Sequence, residues 1–170
     1  MLEGKSLNEF THSVERKLGI RPKKSLGQNF LISDTIRNKI LELIGDGFGT
    51  IVEIGGGLGA LSIPLAMKGA ELIVYEKDDV LQSWLEKELK YHNEKVVVKG
   101  DFLEEYPLKE LEDREFVVVG NIPYQITSPI LERIYNSPVL PAEVVLMVQK
   151  EVAQRIDAKP GTRARGRLTV

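Results

Sequence analysis

The 170-residue chain has no cysteine. Disulfides and cysteine-ligated metals are therefore excluded. The two histidines, His12 and His92, lack partners at metal-ligand spacing, so no metal is expected. No apolar run approaches the roughly 20 residues that span a bilayer. Met1–Ser6 carries no apolar signal-peptide core. These absences lead us to expect a cytoplasmic protein with no membrane partner, and we expect it to be a monomer. What remains, 42% hydrophobic and 28% charged residues, is ordinary for a globular domain.

The net charge of −2 hides an asymmetry. Residues 1–24 hold six basic and three acidic side chains, and residues 150–170 hold six and two. The stretch between them carries 11 basic against 20 acidic residues. Basic ends on an acidic body point to a polyanion partner. The candidate phosphate contacts are Lys23, Lys24, Arg163, Arg165 and Arg167.

From residue 50 onward, strand and helix patterns alternate. Strands are predicted at 50–54, 71–76, 95–99, 115–119 and 143–148, and helices at 58–68, 79–91, 127–136 and 149–158. Unbroken apolar runs such as Val117-Val118-Val119 read as parallel strands covered by helices on both faces. This is the pattern of an α/β doubly wound, mostly parallel sheet. Two helices precede it, over 7–18 and from Ser33-Asp34, the second with Ile36, Ile40, Leu41, Leu43 and Ile44 on one side. Residues 1–45 thus form an N-terminal helical part and loop, and residues 46–170 a Rossmann-like core.

The first strand runs into Glu53-Ile54-Gly55-Gly56-Gly57-Leu58-Gly59-Ala60. Gly55, Gly57 and Ala60 satisfy a dinucleotide-binding spacing. Glu76 ends the second strand, where an acid can hold ribose hydroxyls. To this point NAD and S-adenosylmethionine (SAM) fit equally. Glu53 tips the balance toward SAM, because a carboxylate beside a pyrophosphate is repelled. So does Asp101-Phe102 after the third strand, an acid for an adenine amine and a ring to cover the base. The tetrad Asn121-Ile122-Pro123-Tyr124 follows the fourth strand. The Asn121 side-chain oxygen and the Ile122 carbonyl, set in place by Pro123, can accept the hydrogens of an exocyclic amine. Tyr124 offers a face for stacking. The site therefore suits a flat base carrying an amine.

Lys24–Leu31, Glu53–Gly59, Glu76, Gly100-Asp101-Phe102 and Asn121–Tyr124 occur in one order. Together they resemble the rRNA adenine N6,N6-dimethyltransferases over roughly residues 20–170. Thr127–Leu131, Gln149–Ala153 and Gly166–Val170 favour the small-subunit branch. The resemblance implies a SAM-dependent methyltransferase fold and dimethylation of two adjacent adenosines near the 3′ end of small-subunit rRNA in immature subunits, with S-adenosylhomocysteine as product. It implies that Gln28, Asn29 and Leu31 line the methionine end of SAM and that Glu53 also belongs to the cofactor site. Gly55 and Gly57 let the loop approach, Glu76 binds the ribose, Asp101 and Phe102 receive adenine, and Asn121 faces both cofactor and target amine. The alternatives are a large-subunit enzyme of the macrolide-resistance type and a non-catalytic RNA-binding relative. This chain departs from the family at Gly56, where proline is usual, and at Arg165, where an aromatic is usual. The family also has further strands and a helical C-terminal domain, so a truncated catalytic domain is expected.

Overall fold

A computed structural model describes residues 4–107 and 109–159. Arg163, Arg165, Arg167 and the apparent strand 167–170 lie outside the described residues. Five strands form one sheet: β1 (Thr50–Ile54), β2 (Glu71–Tyr75), β3 (Val96–Lys99), β4 (Phe116–Asn121) and β5 (Glu143–Met147). Their order is β3-β2-β1-β4-β5, and every pairing is parallel. The helices are α1 (Leu7–Leu18), α2 (Asp34–Ile44), α3 (Ser62–Met67), α4 (Asp79–Lys90), α5 (Phe102–Glu105), α6 (Thr127–Tyr135) and α7 (Lys150–Ile156). The chain reverses direction across the sheet between β1 and β4. The crevice at the carboxyl ends of those two strands is where such sheets bind ligands.

Strand periodicity divides the core in two. Ile51, Leu72, Val74, Val117 and Val119 face one side, packed with α1 to α4 residues such as Phe10, Ile40, Leu65 and Leu85. Val52, Ile54, Ile73, Tyr75 and Val118 face the other, with Phe102, Ile130 and Ile134 from α5 and α6. Helix α1 starts with a reciprocal capping box between Ser6 and Glu9 and ends at Gly19 in the left-handed conformation. On α4 the single tryptophan, Trp84, donates its indole N–H to the Leu58 carbonyl at 3.2 Å. The Lys17 ammonium lies 4.7 Å from its ring centre.

Four expectations need correction. Strand β4 continues through Gly120 and Asn121, because β5 pairs with them at Leu146 and Met147. Helix α3 begins at Ser62 rather than 58, since residues 58–61 are taken up in turns. Coverage on both faces holds for β1, β2 and β4 but not for the edge strands, where Val97 and Val144 are exposed. Helix α2 buries only Ile40 and Ile44, leaving Ile36 and Leu43 exposed. No helix among the described residues is long and apolar enough to cross a membrane.

Candidate active site

The sharp turn after β1 requires glycine at Gly55 and Gly57, whose φ angles are 77° and 55°. The Gly55 N–H donates to the Tyr75 carbonyl at 2.8 Å. The Gly57 N–H donates to Glu76 Oε2 at 2.8 Å, and the Asp78 N–H donates to Glu76 Oε1 at 2.9 Å. The carboxylate just after β2 therefore holds the glycine turn of β1 in place. Each of its oxygens keeps a lone pair for a ligand.

These loops enclose a cavity of about 300 Å³. Gln28, Asn29, Leu31, Glu53, Gly55, Gly57, Glu76, Asp101, Phe102 and Asn121 all line it, as do Ile122 and Pro123. Tyr124 lies outside the lining and is 47% exposed. Lys23 and Lys24 do not line it either. Several lining residues were given no role by the sequence, among them Thr11, Tyr75, Lys77 and Gln125. None has a local pattern that signals a site, because each is delivered by the packing of a neighbouring element.

The cavity is acidic. Glu53 is buried, and its Oε2 has no hydrogen-bond partner. Burial pushes its carboxyl up to about 8, and the Glu76 charge adds to the rise. The Ser62 hydroxyl is close enough to oppose that shift without closing a hydrogen bond of ordinary length. Burial also raises Glu76, against the N–H groups of Asp78 and Gly57. Asp101 accepts the Leu103 N–H at 2.9 Å as the N-cap of α5 and holds the Lys77 ammonium at 2.6 Å. Among the described residues, Lys77 is the one cationic side chain in the lining, and it is paired. An orphaned buried carboxylate with no cation of its own fits a cationic ligand such as SAM and opposes a pyrophosphate.

Asn121 reaches back to the N-terminal segment. Its side-chain N–H donates to the Asn29 carbonyl at 3.1 Å. The opposite amide orientation would set oxygen against oxygen, so this contact assigns Oδ1 to the other side. No described residue donates to Oδ1 or to the Ile122 carbonyl. Two acceptors thus stand free where β4 ends.

The family profile described as "Ribosomal RNA adenine dimethylase" matches residues 19–170. Among curated proteins, the chain is 41% identical over 174 residues to the ribosomal RNA small subunit methyltransferase A of Enterococcus faecalis, covering 94% of this chain and 56% of that protein. The Streptococcus thermophilus protein of the same name is 39% identical, with 94% and 57% covered. The chain therefore spans little more than half the length of these relatives. Among solved structures, a dimethyladenosine transferase from Plasmodium falciparum superposes with a TM-score of 0.72 at 29% identity, covering 84% of this chain and 51% of that one. The 23S rRNA methyltransferase ErmE gives 0.63 at 29% identity, covering 75% and 50%.

Proposed function

We propose a function from one premise: the chain belongs to the ribosomal RNA adenine dimethylase family. It carries the catalytic part of a SAM-dependent enzyme that dimethylates N6 of two adjacent adenosines near the 3′ end of small-subunit rRNA. The observation that carries this reading is Asn121, whose Oδ1 is left as an oriented, unused acceptor by the bond to Asn29.

SAM would be held by Glu76 at the ribose, Asp101 and Phe102 at the adenine, and Glu53, Gln28, Asn29 and Leu31 at the methionine end. When bound, it supplies an activated methyl group. An adenine amine is a poor nucleophile, because its lone pair is spread into the ring. Asn121 Oδ1 and the Ile122 carbonyl accept its two hydrogens and favour a pyramidal nitrogen. They also meet the positive charge that grows on that nitrogen. Preorganised partners of this kind contribute roughly 3–4 kcal/mol. Tyr124 stacks on the extruded base, worth about 1–3 kcal/mol.

The test is methylation of immature small subunits with radiolabelled SAM, followed by mass mapping of the rRNA. Two dimethylated adenosines near the 3′ end are expected. The ErmE superposition supports one second reading, a large-subunit target. Label confined to large-subunit rRNA would replace the first reading with the second.

A further inference from the structure

Residues 23–31 form a strap whose residues 25–31 line the cavity, and its internal bonds converge on Lys23. The Lys23 carbonyl accepts the Leu26 and Gln28 N–H groups at 3.1 and 3.2 Å. The Lys23 N–H donates to Gln28 Oε1 at 2.9 Å. On one bank the strap is tied to β4, where Asn121 donates to the Asn29 carbonyl. Gly27 lies so close to Gln125 and Pro123 there that a Cβ would sit 2.0 Å from Gln125 Oε1. On the other bank the tie is the Lys23 ammonium, 2.5 Å from Asp78 Oδ2. The Gln28 amide adds a long contact to the same oxygen at 3.5 Å.

Asp78 is 5% exposed and already fully engaged. Its Oδ1 caps α4 through the Val80 and Leu81 N–H groups, and its own N–H holds Glu76. Burial acts to raise its carboxyl, but Lys23 and the two N–H groups outweigh burial and hold it below the usual carboxylate range. Moving Lys23 to an RNA phosphate would strand this buried anion. The sequence places Lys23 among the phosphate contacts; the geometry pairs its ammonium with a buried carboxylate, while the side chain stays half-exposed.

We propose that Lys23 is a positioning residue for the cofactor: its ion pair with Asp78 latches the strap carrying Gln28 and Asn29 to the same turn that fixes Glu76, and it makes no phosphate contact. The proposal rests on the reading of the cavity as a SAM site.

The experiment compares the unmodified chain with Lys23→Met, Lys23→Arg and Lys24→Met. Calorimetry measures SAM affinity, and amide hydrogen exchange follows residues 26–28. A synthetic RNA strand with two adjacent adenosines gives the slope of log affinity against log salt. Lys23→Met is expected to lose about tenfold in SAM affinity and to exchange faster at 26–28, with the salt slope unchanged. Lys23→Arg is expected to recover both losses, since arginine keeps the charge. Lys24→Met is expected to keep SAM affinity and lower the slope by roughly 0.7–0.9, the value for one phosphate. The proposal is overturned if Lys23→Met leaves either SAM affinity or exchange at the wild-type value, or if it lowers the slope. Should the unmodified chain bind no SAM, the cofactor reading falls, and exchange alone decides whether Lys23 pins the strap.

Discussion

Glu53 has an unpartnered buried Oε2, and the cavity has no spare cation among the described residues. Its value in the folded chain is raised to about 8 from an ordinary 4.5. The stability it confers is therefore fully present below pH 4.5 and lost as pH rises through about 8. The loss is on the order of 5 kcal/mol. Glu53→Gln should flatten that decline in denaturant melts taken between pH 5 and 8; an identical decline in the variant would show that another group titrates. A cationic ligand reverses the balance by drawing Glu53 into its charged form. SAM affinity should then rise with pH from about 5 to 8 in the unmodified chain and stay level in Glu53→Gln. Asn121 is the other side chain on which the proposed function turns. Asn121→Ala should slow single-turnover transfer roughly 10²–10³-fold while circular dichroism stays native. Turnover near wild type would remove Asn121 from the chemistry.

The strap and the β1–β4 pairing allow tests of their own at the scale of elements. Gly27 combines a φ of 62° with the close approach of Gln125. Gly27→Ala should lower stability by about 1–3 kcal/mol, and adding Gln125→Ala should return part of it. At Gly120 a Cβ would stand 2.7 Å from the Ile54 carbonyl, which is backbone and cannot yield. Gly120→Ala should cost at least as much, with no rescue from side-chain changes nearby. Thermal unfolding of each variant measures both effects. Strands β2 and β4 are legible in the sequence because burial on both faces leaves an unbroken apolar run, whereas β1 shows only Ile51-Val52 before the buried Glu53. The last two residues of β4 are not, since Gly120 and Asn121 are weak strand formers held there by pairing with β5. Helix α5 is too short at four residues to show a period. Lys23 reads as one more charge in a basic loop, because Asp78 is far away in sequence and only the fold brings them together.

At the scale of the molecule, charge and topology separate two tasks. The carboxyl ends of the strands deliver the acids that surround the cavity, while the basic residues of the sequence gather toward its ends. Salt should therefore weaken RNA binding steeply and SAM binding little. Fluorescence titrations of each ligand between 50 and 200 mM salt test this, and equal salt dependence would argue that one surface serves both. The hydrogen bond from Trp84 to the Leu58 carbonyl has an optical consequence. Trp84 is the only indole in the chain and grips the backbone of a loop that lines the cavity. Its emission is thus a built-in gauge of what enters, readable without a label. A ligand settling against the glycine turn should shift or quench that signal, whereas one that binds away from the cavity should leave it unchanged.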